Sequence, residues 1–287
     1  MHLAFSSMNT LNDPPPPELA QALEQRGFES LWYGEHSHIP TSRQTPYPPG
    51  GDMPDPYKLM MDPYVSLMAA AAATTTLRFG TGIALLMERD IFSQAKTIAT
   101  LDRLSGGRLM IGTGVGWNEE EFCNVNPHPF SKRYAVLRET VAATRALWTE
   151  AEPEFHGDYI DFDPVWADPK PLQADGPPIF LGAMGPLGKK HAAAWADGWY
   201  PVDVAMGDVP AALADFRELV KQQGREAESV QINIQIMDTT DLDKLKGYRD
   251  LGIERATVGV AMDTWDQPDQ VLPMIDRFAE IIPELKD

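Results

Sequence analysis

The chain of 287 residues has a single cysteine, Cys123, so no intramolecular disulfide can form and a reducing, cytoplasmic setting is expected. It is poor in base. Lys and Arg number 24 against 42 Asp and Glu, a formal net charge of −18, and no dense basic run occurs. Counterion-driven nucleic-acid binding needs a basic face, so no nucleic-acid partner is expected. Long apolar runs are missing too. Met68 to Ala73 is apolar but far shorter than a membrane span, so no membrane partner is expected. The opening Met1 to Phe5 has no basic region leading into an apolar one, which speaks against a signal peptide. No solenoid or propeller repeat is evident.

What is present is a rhythm. Hydrophobic residues make up 43% of the chain, enough for a sizeable core at this length. Short β-rich runs alternate with amphipathic stretches. Strands are expected over His2–Ser7, Ser30–Tyr33, Leu77–Ala84, Leu109–Thr113, Ile179–Leu181, Gly198–Tyr200, Gln231–Met237 and Arg255–Val260. The helices between and after them are Pro17–Arg26, Pro63–Thr75, Ser93–Leu104 (capped by Ser93), Ser131–Thr149, Leu187–Ala196, Pro210–Gln223, Asp241–Leu251 and Gln267–Leu285. Eight strand–helix units predict an α/β fold: one (β/α)8 TIM barrel, a single domain over 1–287.

Two segments are too long for simple connections, one after the second strand (34–62) and one after the fourth helix (150–178). Loops after strands build the active face of such a barrel. The first loop should therefore cover the mouth, with Tyr47, Met53, Tyr57 and Met60 lining an apolar substrate pocket. A padded surface loop is the plainer alternative.

After the fourth strand comes Gly112-Thr113-Gly114-Val115-Gly116-Trp117. Glycines at a strand end let backbone approach a ligand, but a tight turn accounts for them equally well. The dinucleotide fingerprint fails, because no helix opens at the last glycine of an open βαβ sheet. His36 and His38 form a His-x-His pair that invites a metal reading. The later strand ends offer no further His or Cys, so no metal is expected. Gly182-Ala183-Met184-Gly185-Pro186 precedes a helix, where free N–H groups and the dipole favour an anion. Glu119, Glu120 and Glu121 read as a helical or solvated acidic cluster. Asp102 reads as the partner of Arg103 or Arg108 in a local ion pair.

Thr97 to Arg108, with Asp102-Arg103-Leu104-Ser105-Gly106-Gly107-Arg108 leading into a strand, resembles the luciferase-like flavin and deazaflavin enzymes. Gly80-Thr81-Gly82-Ile83, Asn118 to Phe122 with Arg133, Pro169-Lys170-Pro171 and Ala196-Asp197-Gly198-Trp199 extend the match over roughly Met1 to Pro201. Its glycine–tryptophan sequence is most similar to the F420-dependent branch. The resemblance implies a cofactor held by Glu35, His36, Gly82, Ile83, Val115, Gly116, Ala183, Met184 and Gly185. It implies a non-prolyl cis peptide near Gly82-Ile83, and a cofactor phosphate at the Gly182–Pro186 turn with Lys189 and Lys190 near. His36 and Trp117 should face the reaction, and Glu35 stands where the family often has Asp. The implied activity is F420-dependent hydride transfer to or from a small organic substrate. An FMN-dependent monooxygenase and a flavin-binding protein without turnover are the alternatives. A homodimer through the second and third helices is expected, since Ala69 to Ala73 permits close helix approach.

Overall fold

The computed structural model describes residues 1–237, 241–260, 264–265 and 267–286. Eight parallel strands close a barrel: β1 (His2–Ser7), β2 (Ser30–Tyr33), β3 (Arg78–Ala84), β4 (Leu109–Thr113), β7 (Ile179–Leu181), β8 (Gly198–Trp199), β9 (Gln231–Gln235) and β10 (Arg255–Gly259), with β1 between β2 and β10. The expected (β/α)8 TIM barrel is thus the fold observed. A two-stranded hairpin, β5 (Phe155–His156) with β6 (Asp161–Phe162), stands apart from it within the 150–178 segment.

The helices follow their sequence signals. α1 (Pro16–Gln25) opens on proline, buries Leu19, Ala20 and Leu23, and is followed by Gly27 at φ +82°. α2 (Pro63–Ala72) is capped by Asp62, whose carboxylate accepts from Tyr64 and Val65 N–H. It turns Ala70 and Ala71 to the barrel and Ala69 and Ala72 outward, so the small-residue run is shared between two faces. α3 (Ile91–Leu104) starts earlier than expected. Its cap is Asp90, which accepts from the Ser93 N–H, because an ionised carboxylate suits the positive helix end. α4 (Glu119–Val125) was legible only as an acidic cluster, whereas α5 (Arg133–Thr149), α6 (Pro186–Trp195), α7 (Val209–Gln222) and α8 (Leu242–Asp250) fall where expected. The last helix is divided into α9 (Val271–Ala279) and α10 (Ile282–Lys286).

Inside the barrel Ala4, Trp32, Met110, Phe180 and Tyr200 form one buried cluster. Strand glycines make room for it: a Cβ at Gly80 would lie 2.3 Å from the Trp32 ring, and one at Gly198 2.2 Å from Phe180. Below this layer Arg255 donates twice to Glu29, at 2.7 Å each. At that same end, before β4, lies the Asp102–Gly107 turn. Asp102 is fully buried but forms no ion pair with Arg103 or Arg108. It accepts instead from the N–H groups of Leu172 and Gln173 and from the Gln173 amide, tying the 150–178 segment to the bottom of the barrel. Arg108 spends its guanidinium on the carbonyls of Ala71, Leu77 and Ser105. Among the described residues no helix is long and apolar enough to cross a membrane.

Candidate active site

A cavity of about 520 Å³ opens where the strands end, within the range of small-molecule sites. Its floor and walls come from the ends of β1 (Ser6, Ser7), β3 (Gly82, Ile83), β9 (Gln235) and β10 (Thr257), and from the segment after β2. A smaller groove of about 270 Å³, between Phe92, Trp148 and Trp166, lies away from the strand ends and holds no acid–base side chain other than Lys96.

His36 lines the cavity and is only 8% exposed. Its Nδ1 lies 2.6 Å from Oε2 of Glu121, which is 1% exposed. Among the described residues Nε2 has no hydrogen-bond partner, so it is the nitrogen left for a ligand. The acidic cluster is therefore only partly solvated: α4 turns Glu121 and Phe122 inward and leaves Glu119 out. Glu120 ties down the loop over the mouth, accepting from Gln44 N–H, Thr45 N–H and the Thr45 hydroxyl. That hydroxyl and the backbone N–H groups hold the Glu120 carboxyl down at about 2 despite some desolvation.

An aromatic wall surrounds His36. Tyr57 makes edge contacts with His36, Tyr47, Trp117 and Trp265, at centroid distances of 5.4 to 6.4 Å. Burial, and the Tyr47 hydroxyl 3.3 Å away, push the Tyr57 phenol well above its ordinary range and keep it protonated. Met60 also lines the cavity; Met53 does not. A turn at Tyr47–Gly50, followed by Gly51 at φ +71°, carries the chain off the wall before Met53 is reached.

The Gly82–Ile83 peptide is cis. Ile83 lies half-buried in the cavity wall, and its far side is seated between two glycines. A Cβ at Gly114 would meet Ile83 Cδ1 at 2.1 Å, and one at Gly182 would meet Cγ2 at 3.0 Å. These strand-end glycines serve the shape of the protein's own wall. Val115, Gly116, Ala183 and Gly185, expected at the cofactor, are not among the residues that line the cavity. Val115 is buried, and Gly116 (φ +64°) faces Leu85 and Glu88. Ala183 packs on Gly188, with its carbonyl accepting from Trp199 Nε1 at 2.7 Å.

Met184 lines the cavity, and its thioether accepts from Val202 N–H at 3.3 Å. Gly185 caps α6, but Pro186 at the first helical position removes one N–H from that helix end. Lys189 lies over the Trp199 ring, 5.5 Å from its centroid.

Glu35 lines the cavity with its carboxylate committed elsewhere. It accepts from Leu85 N–H at 2.8 Å and from Arg89, which also pairs with Asp62 at 2.6 Å. The His-x-His pair does not converge: His38 Nε2 meets Asn124 at 2.9 Å. No metal-holding group of three His, Cys, Asp or Glu occurs among the described residues.

Sequence reasoning missed Glu121, Gln235, Thr257 and the serines of β1. The strand assignments alone could have pointed to the last four, because strand ends in a barrel face the site.

Residues 16–241 match the family described as Luciferase-like monooxygenase. The chain is 38% identical over 266 residues to the uncharacterized protein Rv0953c of Mycobacterium tuberculosis, covering 91% of this chain and 92% of that one. It is 28% identical over 267 residues to the F420-dependent hydroxymycolic acid dehydrogenase of the same organism, covering 92% of this chain and 68% of that one. An F420-dependent secondary alcohol dehydrogenase, solved with an F420–acetone adduct, superposes with a TM-score of 0.72 at 20% identity, over 100% of this chain and 99% of that one. With the match spanning most of the barrel, this chain belongs to the luciferase-like monooxygenase family.

Proposed function

We propose that this protein is an F420-dependent oxidoreductase acting on a small organic carbonyl or alcohol. The observation that carries the reading is His36, with Nδ1 fixed by buried Glu121, placed in an apolar cavity beside the Ile83 shelf. The cavity suits a flat tricyclic ring. Its walls are largely aromatic and aliphatic, and Gly34 and Gly82 contribute no side chain to the wall. Ile83 would back the ring, and Ser6, Ser7 and Gln235 would meet its polar edge. The Met184-Gly185 turn would take the phosphate.

When bound, a reduced deazaflavin supplies a hydride and the oxidised form accepts one. The remaining work belongs to this chain. His36 donates Nδ1–H to Glu121, which fixes the tautomer and leaves Nε2 to hold or take the proton at the substrate oxygen. Tyr57, kept protonated, is a second donor on the same wall. Tyr47, Trp117 and Trp265 exclude water around the pair.

The relative named for F420 use spans nearly the whole chain and supports this cofactor over FMN. Anaerobic turnover of small ketones with reduced F420, followed by the appearance of the oxidised deazaflavin absorbance, tests the reading. Silence with F420, joined to oxygen-dependent turnover with reduced FMN, would replace it by the monooxygenase reading.

A further inference from the structure

Behind His36 lies an acid that the proposed reaction does not use. Glu88, in the short turn between β3 and α3, is half-buried, but its Oε2 is sealed from solvent and has no hydrogen-bond partner among the described residues. Glu121 has the same defect at Oε1, the oxygen not bonded to His36. Asn118, three residues before Glu121 and 2% exposed, leaves both amide atoms unpartnered. Orphaned buried oxygens are costly, and several of them around one helix end need a physical account. Gly116 shapes the spot. At φ +64° it faces Glu88, and a Cβ there would stand 3.2 Å from Glu88 Oε1.

The charges around Glu88 are mostly of one sign. Glu121 and Cys123 of α4 and Glu35 after β2 act on it or feel it. Arg89, next in sequence, is turned to Glu35 and Asp62, and His36 is engaged by Glu121. Arg89 and His36 are thus already engaged by other carboxylates, Glu35 and Glu121.

We propose that Glu88 is a positioning residue for His36: as a neutral carboxylic acid it donates to the free Oε1 of Glu121, directly or through one water, and so keeps Oε2 turned to Nδ1. One proton then satisfies two orphaned groups, and the pair behind His36 carries one negative charge instead of two. Burial, with Glu121 and Glu35 adding to it, lifts the Glu88 carboxyl to about 8, in accord with that state at neutral pH. Above it Glu88 loses its proton to solvent, and the free Oε1 of Glu121 loses its donor.

The inference rests on His36 as the proton-bearing group of the proposed reaction, but its first test needs no cofactor. Infrared spectra of the cofactor-free chain at neutral pH should show a protonated-carboxyl stretch that disappears in Glu88→Gln and fades in the wild type as pH passes about 8. The His36 ring, followed by NMR, should show a further step over the same range, absent in Glu88→Gln. In turnover, Glu88→Gln retains a donor and should keep kcat within about threefold, whereas Glu88→Leu should lower it about tenfold with KM unchanged. No such band in the wild type, a band that survives Glu88→Gln, or equal kcat in the Gln and Leu variants would overturn the assignment. If either variant fails to fold, the wild-type band and its titration decide alone. Failure of F420 to bind, with the band and the ring titration as described, would count against the proposed function and leave this inference standing.

Discussion

Nδ1 of His36 and Oε2 of Glu121 lie 2.6 Å apart, a contact between the segment after β2 and the first turn of α4 that spans 85 positions of sequence. Both side chains are nearly sealed from solvent, so the bond is not diluted by water. Glu121→Gln keeps the shape but exchanges a charged acceptor for a neutral amide. It should lower kcat about ten- to a hundredfold while cofactor affinity stays within about threefold. Steady-state kinetics beside a binding titration separate the two, and an unchanged kcat would show that the pair is structural only.

Ile83 tests the cavity wall. The Cβ of Gly114→Ala would meet its side chain at 2.1 Å and push it toward the cavity, whereas at Gly182 the corresponding gap is 3.0 Å. Gly114→Ala should weaken cofactor binding about tenfold or more, and Gly182→Ala less, since only the first forces Ile83 to move far. Equal affinities for both variants and wild type would place the cofactor elsewhere.

Glycine to alanine at two other positions separates packing from ligand contact. At Gly112 the Cβ would lie 2.1 Å from the Thr81 carbonyl oxygen, which is backbone and cannot step aside. At Gly185 nothing stands within 4 Å and φ is −73°. Denaturant unfolding should show a loss above about 3 kcal/mol for Gly112→Ala, or no folded product, and at most about 1 kcal/mol for Gly185→Ala.

The Glu29–Arg255 pair links stability to acid. Burial acts to raise the Glu29 carboxyl, but Arg255, Ser30 and Arg78 outweigh it and bring it from 4.5 to about 2. A folded value below the unfolded one gives stability that is complete above about pH 4.5 and is lost as pH falls toward 2. The contribution is on the order of 3 kcal/mol. Glu29→Gln should lower Tm at neutral pH and flatten the acid limb of a Tm–pH curve between those values. An acid limb identical to wild type would contradict the linkage.

The loop over the mouth is pinned at Glu120. Glu120→Gln should raise KM about threefold with little change in kcat, because it loosens the strap and leaves the His36 pair in place. A fall in kcat with KM unchanged would mean that α4 itself had shifted.

Much of this was legible in the sequence. The alternation of short apolar runs with amphipathic stretches places all eight barrel strands. Tyr47, Tyr57 and Met60 were readable as a wall because a long proline-rich loop after a strand has nowhere to lie but the mouth. At the strand ends the sequence is ambiguous: a gap that seats Ile83, as at Gly114 and Gly182, and a gap that admits a ligand have the same sequence signature. Glu121 was hidden for another reason. In a helix of seven residues, three successive acids give no periodicity, and only the packing of Phe122 decides which of them turns inward. Asp102 looked like half of an ion pair because the partners it finds are backbone N–H groups 70 residues away.

The cofactor is the centre of the account. F420 and FMN share a flat tricyclic ring and a phosphate, so the cavity alone admits both, and the extra carboxylates of the F420 tail meet a chain of net charge −18. Screening confines that repulsion to about 8 Å at physiological ionic strength, so it does not decide the choice. Parallel fluorescence titrations of the purified chain with F420 and FMN, in matched salt, test it directly. The account predicts F420 bound at least about tenfold more tightly; FMN bound more tightly by the same factor would contradict it.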